Sequence, residues 1–268
     1  MRPLVVVLHM PGTNRDHDVV AAVERAGGRA EIVLAASEEG LQEAARRVAQ
    51  AAMVVLPGGF TYGDALGAGA LWASKIAAGR SSLGDALARF VEGGGPLLGV
   101  CNGFQALLRA GLLLGRRGAA LPGATLLGNT SGRFESRWVT LKLERSPCVF
   151  LPARADGDAT LRSPVAHAEG RFFAQPADLL ELEASGAVVL RYARPDGALA
   201  EGRYPHNPNG SLNDIAGVCN PAGNVFGLMP HPENHLDLAQ APRGVAGARS
   251  SLTGLRLFEA GLGYARQF

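Results

Sequence analysis

The sequence predicts an α/β protein built on a doubly wound, mostly parallel sheet with a small antiparallel extension. Three observations predict it. Continuous apolar runs at residues 4–8, 52–56 and 97–100 have the uninterrupted character of strands covered on both faces. Helical patterns separate them, and β-α-β connections of this kind close right-handed and leave the strands parallel. From residue 121 the texture changes to two-residue alternation broken by glycine, serine and threonine turns, which suits antiparallel strands.

In chain order, residues 4–8 make the first strand and Pro11-Gly12-Thr13-Asn14 a turn. Residues 16–26 read as a helix with Val19, Val20 and Val23 on one side, stopped by Gly27-Gly28. A strand at 31–34, a polar-faced helix at 38–49 and a strand at 52–56 follow, the last emptying into Pro57-Gly58-Gly59-Phe60. Residues 61–69 form a glycine- and alanine-rich loop carrying Tyr62 and Asp64, suited to close packing beside a site. Helices are expected at 71–78 and 83–92, the second ended by Gly93-Gly94-Gly95. The strand at 97–100 leads to a helix at 104–114 ending near Gly115, after which Arg116 and Arg117 read as surface residues. Further strands are expected at 138–143, 148–150, 165–173, 188–192 and 225–229, with turn chemistry throughout 204–215. Residues 234–238 read as the start of a helix, 239–250 as a mobile stretch, and 252–262 as a closing amphipathic helix. One domain over 1–268 is expected, with the antiparallel elaboration at about 125–200.

Composition narrows the function classes. With 268 residues, 47% of them hydrophobic, the chain has ample material for a core. Its formal charge is only +2 and no basic tract stands out, which argues against a nucleic-acid partner. Six histidines and three cysteines (Cys101, Cys148, Cys219) lack zinc-site spacing, so no metal is expected. An odd cysteine count in a chain of this size suits a reducing compartment. The opening apolar run is too short for a signal peptide or a membrane span. A cytoplasmic protein with no membrane partner is expected.

Chemistry concentrates at Gly99-Val100-Cys101-Asn102-Gly103. A strand that turns at once into a helix needs glycines at the bend, and the residue at the bend points into the crevice beyond the strand end. The helix start supplies unpaired N–H groups and a positive field, which favour a thiolate and an oxyanion. Cys101 therefore reads as a nucleophile, or else as a small buried hydrophobe. A nucleophilic thiol needs a base held by an acceptor. His231-Pro232-Glu233 lies just past a strand end and supplies both, while His167 and Glu169 show the same spacing inside the antiparallel region without the proline. Gly58-Gly59 and the N–H of Asn102 are of the type that makes an oxyanion hole.

Gly99-Val100-Cys101-Asn102-Gly103-Phe104-Gln105 together with His231-Pro232-Glu233 resembles the triad-type (class I) glutamine amidotransferases, whose fold is flavodoxin-like. The stretches at 57–64, 129–138, 166–171 and 207–217 resemble one branch of that family, which serves a ligase of purine biosynthesis. The resemblance implies hydrolysis of glutamine to glutamate and ammonia through a γ-glutamyl thioester on Cys101, with His231 as base and Glu233 as its orienter. It implies Gly59 and Asn102 as backbone oxyanion donors and Phe60 and Gln105 as glutamine-pocket residues. No cofactor is implied in this subunit. Its partners would be a large synthetase subunit that uses ATP and Mg and receives ammonia through a channel, and a small bridging subunit. A chain of 268 residues starting at Met1 resembles the free-standing form. Arg15 and Ser136 stand where the family usually has cysteine, and His206 where it usually has an aromatic residue; none touches the triad. The chain also looks longer than its bacterial counterparts, with the extra length at 154–160 and 239–250.

Three rival readings stand beside this one. The first is a glutaminase subunit serving a different acceptor, which would lack the 207–217 stretch. The second is a binding or chaperone-like protein on the same scaffold, and the third a protease-like or amidase-like cysteine hydrolase.

Overall fold

The computed structural model describes residues 1–114, 123–152, 159–242 and 251–267. The first half follows the apolar runs. Strands β1 (Leu4–His9), β2 (Arg29–Leu34) and β3 (Met53–Leu56) alternate with helices α1 (Asp16–Arg25) and α2 (Glu38–Val48). Ser37 starts α2 by accepting a hydrogen bond from the Gly40 N–H at 3.2 Å, which satisfies one of the donors a helix start leaves open. Helices α3 (Ala70–Ile76) and α4 (Ser82–Glu92) precede β4 (Leu97–Val100), and α5 (Asn102–Ala110) begins after a single intervening residue. The second half contains β5 (Ala124–Leu127), β6 (Glu135–Leu143), β7 (Thr160–His167), β8 (Arg171–Ala174), α6 (Pro176–Ala184) and β9 (Val188–Ala193). It closes with β10 (Ile215–Cys219), β11 (Val225–Leu228), β12 (Ser251–Leu252) and α7 (Leu255–Ala265).

A ten-stranded sheet runs β12-β7-β6-β9-β10-β11-β4-β3-β1-β2. Strands β11, β4, β3, β1 and β2 are mutually parallel. Beyond β11 the order continues through antiparallel β10, β9, β6 and β7. Strands β5 and β8 form a separate antiparallel pair. Strands β3, β4 and β11 are buried along their whole length and β1 over Val5, Val6, Val7 and Leu8, because helices cover both faces, while the edge strand β2 is partly exposed. Trp72, Phe104, Phe226 and Phe258 fill the layers between sheet and helices; full burial contributes roughly 1.5–3 kcal/mol for a side chain such as Phe. No helix among the described residues is long and apolar enough to cross a membrane.

Several sequence expectations are corrected. Residues 148–150 are a turn, not a strand: Val149 N–H donates to Gly223 O and Leu151 N–H to Cys148 O, and Phe150 plugs the core against Phe226. Prolines at 147 and 152 leave no room for a ladder. The expected strand at 165–173 is two strands, β7 and β8, in different sheets, with a turn at 168–170 between them. No helix forms over 234–238; short 3₁₀ turns at Pro232–Asn234 and Leu238–Gln240 flank it instead. β10 follows the polar loop at once and had not been anticipated. Helix α5 begins at Asn102 and stops at left-handed Gly111, before the expected end. Gly115, Arg116, Arg117, and most of the 154–160 and 239–250 stretches lie outside the described residues.

Candidate active site

Register alone brings the chemistry together. Strand β4 lies between β3 and β11, with Gly99 beside both Leu56 and Gly227, and Val100 beside Leu228. Three parallel strands therefore end at one rim, and the residues that follow them must meet there: Gly58-Gly59 after β3, Cys101 after β4, His231 after β11. Two further contacts draw β7 over the same rim. His231 N–H donates to Pro164 O at 2.8 Å, and the Cys101 Sγ lies 3.8 Å from Ala166 O.

Cys101 occupies a strained bend, at φ 49° and ψ −103°. A non-glycine residue held there costs of order 1–3 kcal/mol, which the surroundings must impose. They do so through close packing that only glycine allows. A Cβ on Gly103 would sit 2.0 Å from Leu56 O, and one on Gly99 2.5 Å from a Leu107 methyl. The bend delivers the thiol, 5% exposed as a residue, to the N-terminus of α5.

His231 and Glu233 are both buried, and His231 Nδ1 donates to Glu233 Oε1 at 2.7 Å. Burial disfavours the imidazolium, but the Glu233 carboxylate and the neighbouring Cys101 outweigh it, and the His231 pKa is raised from 6.5 to about 10. Nδ1 is committed to Glu233, so Nε2 is the nitrogen left for the thiol; it makes no well-formed hydrogen bond of its own. Gly58 packs against the ring, where a Cβ would come within 2.7 Å of His231 Cε1.

Gly59 and Asn102 lie at the same rim. Thr13 and Gly59 form an isolated antiparallel bridge, with Phe60 N–H donating to Gly12 O and Asn14 N–H to Gly58 O. That pattern makes Gly59 the non-hydrogen-bonded member, so its N–H turns away from Thr13. Asn102 is the first residue of α5, where the backbone N–H has no intrahelical acceptor. Its side chain is fully occupied: Oδ1 accepts from Thr61 N–H and Oγ1, at 3.1 and 2.6 Å, and Nδ2 donates to Asp64 and Gln105. Gln105 in turn donates to Glu169 O at 2.6 Å.

Gly59, Phe60, Cys101 and Gln105 line one cavity, together with Asp64, His167 and Glu169. Its volume of about 40 Å³ is far below the roughly 300 Å³ of small-molecule pockets, so admission of glutamine requires the walls to move. Burial and the Glu169 charge raise the Asp64 pKa against hydrogen bonds that lower it. Phe60 is 44% exposed at the mouth and stacks on Phe134 at 6.2 Å.

The rival histidine is also in this cavity, in a different state. His167 Nδ1 faces Asn129 Oδ1 at 3.2 Å, not Glu169. Asn129 Nδ2 donates to two carbonyls, so its Oδ1 must accept and His167 Nδ1 must carry the proton. Burial and the nearby His231 push the His167 pKa down to about 3, leaving a neutral ring. Glu169 reaches Ala68 N–H at 3.2 Å and lies 4.0 Å from Arg109. Sequence spacing marked His167 and Glu169 but gave no hint of their separate partners. Asn129 was missed as the group that orients His167; its only signal was membership of the Asn-Thr-Ser-Gly stretch. Among the described residues no group of three His, Cys, Asp or Glu side chains is arranged to hold a metal ion.

Comparison with known proteins finds relatives along nearly the whole chain. Residues 2–265 match the family model described as a CobB/CobQ-like glutamine amidotransferase domain. The chain is 39% identical over 282 residues to the phosphoribosylformylglycinamidine synthase subunit PurQ of Treponema denticola, covering 98% of this chain and 99% of that one. It is 42% identical over 259 residues to the same subunit from Chelativorans sp., covering 97% and 98%. Among solved structures, PurLQS from Thermotoga maritima matches with a TM-score of 0.73 at 31% identity, covering 98% of this chain and 99% of that chain. The chain belongs to the glutamine amidotransferase family and, within it, to the PurQ glutaminase subunits of phosphoribosylformylglycinamidine synthase.

Proposed function

We propose that the chain hydrolyses L-glutamine with Cys101 as nucleophile, His231 as general base and acid, and Glu233 as the group that orients it. The Cys101 sulfur attacks the side-chain amide carbon with its proton already held at His231 Nε2, as the raised His231 pKa favours. The N–H groups of Gly59 and Asn102 hold the oxyanion. His231 then returns the proton to the leaving nitrogen, the C–N bond breaks, and ammonia departs from a γ-glutamyl thioester. Water, deprotonated by the same imidazole, attacks the thioester; the C–S bond breaks and glutamate leaves. Phe60 and Gln105 wall the glutamine side chain. The α-ammonium meets Asp64 and Glu169, whose mutual repulsion a cation relieves.

Residues 1–268 act as a single glutaminase domain, a reading supported by the sheet that spans Leu4 to Leu252. Ammonia passes to a large cytoplasmic synthetase subunit that uses ATP and Mg, joined through a small bridging subunit. There it converts formylglycinamide ribonucleotide to the amidine. The observation that carries the reading is the adjacency of β4 and β11, which sets the thiol and the imidazole–carboxylate pair at one rim. The test is glutamate release from glutamine by the chain reconstituted with the synthetase and small subunits. Release that depends on Cys101 and is coupled to amidine formation is expected. Its absence in the reconstituted complex sinks the assignment.

A further inference from the structure

A second cavity lies on the antiparallel half of the sheet, away from Cys101. It measures about 260 Å³ and takes its walls from residues 137–140 of β6, Arg162 of β7, and loop residues that include His206 and Pro242. Arg162 is its unusual member. The residue is only 9% exposed; its guanidinium donates to Pro242 O at 3.3 Å and lies 5.7 Å from the centre of the Trp138 ring. Other arginines of this half are matched by carboxylates: Arg137 by Glu135 at 2.8 Å, Arg191 by Glu144 at 3.1 Å. No carboxylate among the described residues pairs with Arg162, and burial is the one influence on its proton affinity, which it lowers. A partly desolvated cation with no carboxylate beside it, lining an open cavity, favours an anion there.

The rim indicates what carries that anion. Tyr204 is 60% exposed with the Arg137 guanidinium 4.7 Å from its ring centre. Trp, Tyr and Arg are the residue types that anchor protein interfaces, and here they surround one socket. Pro195, Pro205 and Pro242 add rigid apolar walls suited to a methylene stem.

We propose that this cavity is a docking socket for an Asp or Glu side chain of the synthetase partner, with the carboxylate against Arg162 and the stem over Trp138. The proposal rests on the partner reading above and names where the partner engages. The socket also touches the catalytic loop. The Trp138 ring meets His235 edge-on at 5.2 Å, His235 Nδ1 donates to Arg162 O, and His235 follows Glu233 by two residues. Occupation of the socket is therefore transmitted to the segment that holds His231.

The experiment measures binding of the purified synthetase subunit to the chain and to its Arg162→Met, Arg162→Glu and Arg162→Lys variants. Trp138 fluorescence is the reporter, since Trp72, the other tryptophan, is fully buried. Loss of affinity by tenfold or more is expected for R162M, a larger loss for R162E, and partial recovery for R162K, with melting temperature and glutamate release by the free chain unchanged. A second measurement needs no variant: hydrogen exchange at 137–140 in the wild-type chain slows on complex formation. Equal affinity of all variants, or unchanged exchange at 137–140 in a formed complex, overturns the proposal. A Trp138 response to millimolar glutarate that leaves synthetase affinity unchanged assigns the socket to a free carboxylate and also overturns it. Failure of the wild-type chain to bind the synthetase at all sinks the partner reading, and this one with it.

Discussion

Replacing Glu233 with Gln tests the catalytic reading most directly, because it keeps the size of a buried side chain and removes its charge. In the native chain His231 is raised from 6.5 to about 10 although burial, the largest single influence, pulls it down. The rise amounts to about 5 kcal/mol of net preference for the imidazolium, at about 1.4 kcal/mol for each unit. Glu233 is the first of the influences that raise it, 2.7 Å from Nδ1. Without that charge the largest of the influences that raise the pKa is gone, and the balance moves toward the neutral ring. Losing about 4 kcal/mol of stabilisation for the imidazolium that holds the thiol proton through the attack corresponds to roughly 10³ in kcat. The sign for stability is also fixed. A histidine whose folded pKa lies above its unfolded value contributes stability that is complete below about 6.5 and is lost as pH rises through about 10. The wild-type chain should therefore show an alkaline decline in melting temperature between these limits, and E233Q should abolish it. The assay is glutamate release by the reconstituted complex from pH 6 to 10, beside amidine formation driven by added ammonia, which should not change. A kcat within threefold of wild type and an unaltered stability profile would refute the role given to Glu233.

Other substitutions probe the rest of the site. Cys101→Ala should abolish glutamine use while ammonia-driven synthesis persists, and Cys101→Gly should melt higher than C101A by about 1 kcal/mol of stability, because glycine relieves the φ of 49°; equal melting of the two would show that the bend stores no strain. Gly58→Ala places a methyl 2.7 Å from His231 Cε1 and should cut kcat at least tenfold with little change in melting, measured by steady-state kinetics beside calorimetry. Neutral His167 gives stability that is complete above about 6.5 and is lost as pH falls towards 3, so His167→Gln should flatten the acid side of the stability profile measured by thermal melts.

What the sequence disclosed and what it withheld follow a physical divide. Features set by a few adjacent residues were legible. The bend at Cys101 could be read from Gly99 and Gly103, because a Cβ at either position would enter Leu107 or the Leu56 carbonyl. The parallel strands were legible because burial on both faces leaves an unbroken apolar run, as in Val54-Val55-Leu56. Cys148 to Phe150 imitated a strand because alternation over three residues is too short to distinguish a ladder from a buried plug. Choosing between His231 and His167 was harder, since both show a glutamate two residues on. The decision lies in pairings that no local pattern encodes. Register sets β11 against β4, segments more than a hundred residues apart, and so gives His231 to the thiol. Pairing of Glu135 with His167 fixes β7 against β6, and its turn gives His167 to Asn129 instead. Two imidazoles in one buried region then diverge because one faces a carboxylate and the other an amide. The first is held as a cation and the second as a neutral ring. Chain folding, by choosing those two neighbours, makes His231 and not His167 the imidazole that fits the proposed role of base.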